Sequence, residues 1–542
     1  VVYVPGWDCH GLPIEIKALE AVREGSQNDG ITLDAMGVRK AARKLASKTV
    51  KEQMKGFREW GVMANWEKAW KTMDKDYTIR QLRVFQEMVR QALIFRRYKP
   101  VYWSPSSKTA LAEAELEYKD DHISTAAYVK FPIETVPEPL QSKLLSTKKL
   151  YAVIWTTTPW TLPANRAIAV HSNLEYTVVK HNSDLLLLAS TRLPELTKSL
   201  FGKESFEVII SSIMGSELVD SQYINILRGK DSSPQPIIHA DFVSADSGSG
   251  LVHLAPGHGM DDYDVCTRLG IEAAAPVDDL GCFTSDAFPE HPLTLEGKSV
   301  LSGGSSAVLE LLGNDVLKVH EYKHKYPYDW RTKLPVIVRA TEQWFADVGH
   351  VKGDALRHLQ NVRFIPEAGR PRLESFVKGR SEWCISRQRS WGVPIPALYG
   401  EDGSALLTVE SVEHIITRMA EKGVDAWWTD SEDESAWALP GLSGTYKRGK
   451  DTMDVWFDSG TSWTQTEQQA DVYLEGTDQH RGWFQSSLLT HTSGSARDGA
   501  PFKTLITHGF TLDQQGKKMS KSIGNVIAPS QIIDGSLLPP VS

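Results

Sequence analysis

Two stretches of the sequence hold residue types suited to chemistry on phosphates and on esters. Lys517-Lys518-Met519-Ser520-Lys521-Ser522 sets three lysines among small hydroxyl residues, between Gly516 and Gly524. Cations on a short loop neutralise the charge that builds on a pyrophosphate leaving group, and flanking glycines leave such a loop free to close. Otherwise a lysine run of this kind is a solvated basic loop. Far upstream, Trp155-Thr156-Thr157-Thr158-Pro159-Trp160-Thr161-Leu162-Pro163-Ala164-Asn165 gathers four threonine hydroxyls near one strand-like end. Threonine is not a nucleophile at neutral pH without a base. These hydroxyls suit hydrogen bonding to a ribose and positioning of a water, with plain strand formation as the bland alternative. About a hundred residues further on, His253-Leu254-Ala255-Pro256-Gly257-His258-Gly259-Met260-Asp261-Asp262-Tyr263 adds imidazoles and carboxylates. A carboxylate there can grip an ammonium group, whereas His253 alone is more often a core histidine.

Further strings are candidates for binding. Glu475-Gly476-Thr477-Asp478-Gln479-His480-Arg481-Gly482-Trp483-Phe484 follows the strand-like Val472-Tyr473-Leu474 and precedes a helix-like run. A polar cluster at a strand's C-terminal end that opens a helix is where open α/β sheets bind nucleotides; as an alternative, His480 and Arg481 merely cap the helix. In Pro5-Gly6-Trp7-Asp8-Cys9-His10-Gly11, Asp8 is either a ligand for a small cation or a turn residue. The arginines of Trp383-Cys384-Ile385-Ser386-Arg387-Gln388-Arg389-Ser390-Trp391-Gly392-Val393-Pro394 either touch nucleic-acid phosphates or stabilise a turn. Trp456, in Asp454-Val455-Trp456-Phe457-Asp458-Ser459-Gly460, and Trp483 are apolar walls of a small pocket or generic core aromatics.

The elements that must position these residues follow from periodicity. Residues 34–60 read as an amphipathic helix and Tyr77 to Arg97 as a second, after which Pro100 and Pro105 break the chain. From about residue 124 to 330, short apolar runs such as 129–131, 150–155, 176–179, 185–188, 208–210 and 251–254 alternate with Gly, Ser, Asn and Asp. That texture predicts a β-rich domain inserted in an α/β one. The acidic, tryptophan-rich stretch 423–439 reads as a surface insertion. With 542 residues, two to four domains are expected. Hydrophobic residues at 41% and charged residues at 24% describe an ordinary soluble composition without a membrane-length apolar run. The net charge of -8 gives no sign of a polyanion partner, although basic residues clustered on one face would suffice for one. The four cysteines form no CxxC pair, so neither structural zinc nor a disulfide framework is expected, and a reducing compartment fits best. The chain opens on Val1-Val2-Tyr3 without an initiator Met and closes on Leu537-Leu538-Pro539-Pro540, so both ends are expected to be cut, with any transit peptide outside this window.

Lys518 to Ser522 spells the KMSKS signature of class I aminoacyl-tRNA synthetases, and the strings together resemble the isoleucyl-tRNA synthetases from Tyr3 to about Pro529. The resemblance implies a class I Rossmann-like parallel α/β core interrupted by a β-rich editing domain. The corresponding boundaries are 1–139 for the first part of the core, 140–330 for the insert and 331–542 for the rest, with an insertion near 400–450 and the signature loop at 518–522. It implies ATP-dependent activation of isoleucine and its transfer to tRNA(Ile), with Mg2+ carried on the ATP phosphates, no structural zinc, no membrane, and a monomer. Implied catalytic residues are Lys518, Lys521 and His508, the last in Thr507-His508-Gly509-Phe510. Met519, Ser520 and Ser522 complete the ATP loop. Asp8 would pair with the substrate ammonium, while Glu475, Gly476, Asp478, Gln479, His480, Trp456 and Trp483 would hold substrate and adenylate.

The same resemblance implies editing by Thr156, Thr157, Thr158, Thr161, Asn165, His253 and Asp262, with hydrolysis of mischarged valyl-tRNA. Leucyl and valyl relatives carry Arg in place of Thr158 and Asp or Glu in place of Trp160. Editing is needed because one methylene gives little discrimination, and isoleucine against valine in this family is the standard instance. Bacterial members carry CxxC where this chain has Trp103-Ser104-Pro105-Ser106-Ser107, and the serine version resembles mitochondrial enzymes. A mitochondrial matrix location is therefore expected, with the cytoplasm as alternative. His10-Gly11 is not the HIGH signature, which in the family lies upstream of this block. The absence of that signature favours a different reading, a non-catalytic fragment or paralogue that binds tRNA or a partner. The intact editing strings argue against that reading, and the synthetic strings argue against a stand-alone deacylase.

Overall fold

Burial of apolar helix and strand faces produces two compact units in the computed structural model, Val1–Arg96 with Gln343–Ser542, and Arg97–Glu342. The structure describes residues 2–25, 33–142, 149–202, 206–229, 233–429, 435–520 and 523–536. Lys521, Ser522 and the closing 537–540 run lie outside the described residues.

In the first unit, Asp34 starts the helix Ala35–Glu59 by accepting a hydrogen bond from the Gly37 amide at 2.7 Å. Val38, Ala42, Ala46 and Val50 recur every four residues and form its buried stripe. The second helix is Lys75–Arg90, which buries Tyr77, Gln81, Leu82, Phe85 and Met88. It ends seven residues before the expected Arg97. Ala92 adopts a left-handed φ of 57°, and the chain continues as the strand Ile94–Ser104. Pro100 lies inside that strand and does not break it. Neighbouring Thr109–Leu111 pairs only with Tyr102 to Ser104, so on that side Pro100 owes no ladder donor.

The strands Arg363–Ile365, Phe502–His508 and Ala470–Gly476 form a parallel sheet in that spatial order. Parallel neighbours require a crossover, and the helix Trp483–Gly494 supplies it between Ala470–Gly476 and Phe502–His508. The sheet and helix share a core that includes Phe364, Phe457, Phe484, Leu488 and Leu505. The stretch expected as a surface insertion is instead packed where it is described. Trp427 and Trp437 are buried edge to face, 5.2 Å between centroids, with the Arg448 guanidinium over both rings. Within it, Asp425 accepts from both Arg39 and Arg43.

Among the described residues of the second unit, ten strands form one sheet. Every apolar run expected as a strand is one: Leu116–Thr135, Leu150–Thr156, Glu175–His181, Asp184–Ala189, Glu207–Met214 and Val252–Leu254. Leu116–Thr135 pairs antiparallel with Val316–Asp329 from Val129↔Val316 to Leu116↔Asp329, with register shifts between Val316 and Lys318 and between His324 and Tyr326. This long ribbon explains why the contact boundaries at Arg97 and Glu342 lie outside the 140–330 interval set from sequence texture. The architecture is the parallel α/β core interrupted by a β-rich insert that the sequence implied.

Candidate active sites

In the first unit, adjacent parallel strands end side by side. Glu475 pairs with Thr507 and Gly476 with His508. The C-terminal edge of such a sheet is where nucleotides bind. Glu475, Asp478 and His508 are exposed there and Gln479 is half-buried. The His508 ring is fixed by Nδ1, which donates to the Gly509 carbonyl at 2.7 Å. Burial, with Asp478 nearby, holds the Glu475 carboxyl above its ordinary range. Asp8 has solvent contact but is crowded by surrounding protein. That desolvation, with the charges of Asp458 and Glu475, pushes its carboxyl up to about 7, a shift its exposed edge moderates without changing direction. A region where carboxylates raise one another in this way is electrostatically ready for a cation.

His480 does not join the exposed group. The residue is 1% exposed, its ring donates through Nδ1 to the Thr477 carbonyl at 2.7 Å and packs edge-on to Phe484, and its Nε2 is buried without a hydrogen-bond partner. Trp483 stacks on Tyr473 at 4.1 Å, and its indole N–H donates to the Ser459 carbonyl and the Ser462 hydroxyl. Trp456 is half-buried, with its ring against Gly482. Of the arginine string, Arg387 is structural: it is buried, paired with Asp454 at 2.9 Å and bonded to the carbonyls of Cys384 and Ser386. Asp454 also accepts from the Trp383 indole and caps the helix Val455–Gly460, which joins two of the sequence strings into one support.

Asp458, which this helix carries, was assigned no role from the sequence. It is fully buried, accepts from Gln81 at 2.6 Å and lies 2.7 Å from His10 Nδ1. Its signal was confined to a string without an evident partner.

The lysine loop is a clipped turn. Asp513 accepts from the Asn525 amide at 2.7 Å and the Lys517 N–H at 2.8 Å, which hold its carboxyl below the ordinary range. Asn525 in turn accepts from the Ser520 N–H. Gly516 and Gly524 both take φ of +74°, the left-handed geometry these turns require. Lys518 is exposed with Nζ 3.4 Å from the Phe510 ring centroid.

In the second unit the threonine string and the His253–Tyr263 string meet. Thr156 ends its strand, and its hydroxyl accepts from the Thr158 N–H at 3.0 Å. Thr161 donates to the Thr158 carbonyl at 2.8 Å and contacts His253 Nε2 at 2.8 Å. Asn165 contacts the other nitrogen of His253 at 3.1 Å. Thr157 and Thr158 are half-buried. Asp262, in the first turn of the helix Met260–Arg268, accepts from the Ala255 N–H at 2.8 Å, and burial pushes its carboxyl up to about 6. Burial pushes His253 down to about 3 and His258 down to about 4, so both rings are neutral at pH 7. His258 donates through Nδ1 to the Val338 carbonyl. Among the described residues, no group of three or more His, Cys, Asp or Glu side chains is placed to hold a metal ion, and no helix is long and apolar enough to cross a membrane.

A parallel α/β unit with a basic loop beyond its strand ends, interrupted by a β-rich unit with a threonine site of its own, has the architecture of a class I synthetase. The family model for class I tRNA synthetases (I, L, M and V) matches residues 1–536, and the chain belongs to that family. It is 47% identical over 552 residues to an isoleucine–tRNA ligase of Acaryochloris marina, covering 99% of this chain and 55% of that protein. It is 47% identical over 546 residues to one of Microcystis aeruginosa, covering 99% and 56%. The chain thus spans a little over half the length of these relatives. A solved LeuRS from Agrobacterium radiobacter K84, in a ternary complex with tRNA and LeuAMS, aligns over 99% of this chain and 62% of its own, with 18% identity and a TM-score of 0.41.

Proposed function

We propose that this chain carries the activating and proofreading centres of an isoleucine–tRNA ligase. The carboxylate of isoleucine attacks the α-phosphate of ATP, pyrophosphate leaves, and the aminoacyl group then passes to tRNA(Ile). No enzyme nucleophile is needed. Catalysis is positioning plus neutralisation of charge by Lys518 and Lys521, with His508 as a further donor and Mg2+ on the ATP phosphates. The observation that carries this reading is the side-by-side ending of the two parallel strands, which pairs Glu475 with Thr507 and Gly476 with His508 at the sheet's C-terminal edge, with the charge of Glu475 felt at Asp8. There Asp8 takes the substrate ammonium while the strand ends take the nucleotide. The support for isoleucine as substrate is the 47% identity to relatives of that name.

In the β-rich unit, valyl-tRNA is hydrolysed. Asp262 holds the valine ammonium, and Thr157 and Thr158 orient the terminal ribose and a water. Isoleucine is rejected by size. A mitochondrial location keeps the 103–107 serine run as its support, whereas the relatives named above are bacterial. The deciding experiment is ATP–pyrophosphate exchange with isoleucine, valine or leucine by the protein carrying the HIGH block upstream of this window, since the chain as it stands is expected to make adenylate poorly, alongside deacylation of valyl- and isoleucyl-tRNA. Exchange strongest with isoleucine and deacylation faster for the valyl ester are expected. Exchange driven best by leucine, or equal hydrolysis of the two esters, would overturn the reading.

A further inference from the structure

Tyr223, Asn165, His253 and Thr161 form a hydrogen-bonded chain in which every donor and acceptor is determined. Asn165 Nδ2 lies 2.9 Å from the Ala167 carbonyl, which can only accept, so the amide nitrogen faces that way. Its carbonyl oxygen must then face Tyr223, whose hydroxyl donates to it. The second hydrogen of the Asn165 amide points to His253 Nδ1 at 3.1 Å, so Nδ1 carries a lone pair. A neutral ring with a lone pair on Nδ1 has its proton on Nε2, and Nε2 donates to Thr161 Oγ1 at 2.8 Å. Thr161 is free to accept because its own hydrogen goes to the Thr158 carbonyl at 2.8 Å. All four side chains are buried, Tyr223 and Asn165 completely. Tyr223 is itself held from both sides, since its two-residue strand pairs with Leu116–Thr135 and with Gln235–His239.

We propose that Tyr223 is a positioning residue of the hydrolytic site: through Asn165 it holds His253 as the neutral Nε2–H tautomer, a fixed donor to Thr161 and not the base that activates water. The inference rests on the reading of the β-rich unit as an ester-hydrolysing site. Both ring nitrogens are committed, so no lone pair on His253 faces a water. The ring does not titrate in the physiological range, because burial and the neighbouring His258 keep it neutral. What the relay delivers is the geometry of the threonine turn, since Thr161 anchors the Thr158 carbonyl and the Thr158 N–H reaches Thr156. Removing the phenol leaves Asn165 Oδ1 buried without a donor. The amide then turns or shifts, Nδ1–H becomes accessible, and the Nε2–H to Thr161 bond is lost.

The test combines imidazole 15N spectra with kinetics on the chain as it stands. Histidine is selectively labelled, and the His253 signal is identified by its loss in His253→Gln. The wild type is expected to show a single Nε2–H pattern, unchanged between about pH 5 and 8. Tyr223→Phe should show both tautomers and lower kcat for valyl-tRNA hydrolysis by about tenfold, with little change in KM. Asn165→Asp, which sets an acceptor opposite Nδ1, should move the proton to Nδ1 and serves if Tyr223→Phe does not fold. A merely structural tyrosine would lower stability and leave the ring pattern alone. An imidazolium or Nδ1–H ring in the wild type, or an unchanged pattern in both variants, overturns the proposal. If the wild type shows the Nε2–H pattern yet hydrolyses no valyl-tRNA, the editing role fails, and with it the positioning role, while the tautomer assignment stands.

Discussion

His10 Nδ1 and Asp458 Oδ2 lie 2.7 Å apart, buried, although 448 positions separate them in the chain. Asp458 also accepts from Gln81, and its backbone carbonyl accepts from the Tyr77 hydroxyl at 2.6 Å. One carboxylate thereby ties the block that carries Asp8 to the helix that carries Trp456. Removing it strands two buried polar groups, and a buried donor left without its acceptor carries its full desolvation penalty. Asp458→Ala is expected to lower the stability of the first unit by about 3 kcal/mol. Asp458→Asn, which keeps an acceptor, should lose less. Urea denaturation followed by tryptophan fluorescence checks this, and equal losses for the two variants would contradict it.

On the proposed reading of the β-rich unit, Asp262 gives the hydrolytic site its pH dependence. It must be charged to hold an ammonium, and burial has pushed its carboxyl up to about 6. The value of kcat/KM for valyl-tRNA should therefore fall as pH drops through about 6, with no further limb from His253. The linked stability runs the other way. A carboxyl raised in the folded state favours folding fully below its unfolded value of 3.8, and that advantage is lost as pH rises through about 6. Asp262→Asn should accordingly abolish hydrolysis at pH 7 without loss of stability. A destabilised Asp262→Asn, or an acid limb that persists in it, would count against this assignment.

Lys518 is expected to act on the transition state for adenylate formation. It is exposed on the loop clipped by Asp513 and Asn525, and nothing in that clip needs its ammonium group. In the protein carrying the HIGH block upstream of this window, Lys518→Ala should lower kcat for pyrophosphate exchange by roughly 10²-fold or more, with a smaller change in KM. A change confined to KM would mean that the lysine only binds ground-state ATP.

What the sequence revealed were groups that act through neighbours in the same string. The lysine loop, the threonine run and the strands of the β-rich unit are local patterns, and the structure contains each of them where it is described. Asp458 and Tyr223 were not legible, because their partners lie 448 and 58 positions away and no spacing rule connects them. The burial of His480 was not legible for a related reason. Its string suits a ligand site, but the short turn at Thr477–His480 rotates the ring into the core. Trp427 and Trp437 read as surface residues because an acidic context suggests solvent, and only the tertiary placement of Arg39, Arg43 and Arg448 reverses that. Arg387 was ambiguous until its partner Asp454 was located in space.

Gly482 offers the sharpest test of the amino-acid pocket. A Cβ built there would fall 2.7 Å from the Trp456 ring and 2.6 Å from Gln479 Oε1. Gln479 Oε1 accepts from the Trp483 N–H at 3.0 Å and so caps the crossover helix. Trp456 is half-buried, and its indole nitrogen has no hydrogen-bond partner. Of the two, Trp456 is therefore the group with less to lose by moving. Gly482→Ala should push that ring by about a methyl radius, with a capping loss on the order of 1 kcal/mol at most if Gln479 moves as well. If Trp456 is a wall of the isoleucine pocket, the shift narrows the space where the larger side chain must fit. A methylene-sized mismatch in an apolar pocket is worth about 1–3 kcal/mol. The KM for isoleucine in pyrophosphate exchange should then rise by about tenfold or more, while valine, one methylene shorter, loses less. The ratio of kcat/KM for isoleucine over valine falls as a result. Parallel losses for the two amino acids would place the defect in the helix cap and remove Trp456 from the pocket.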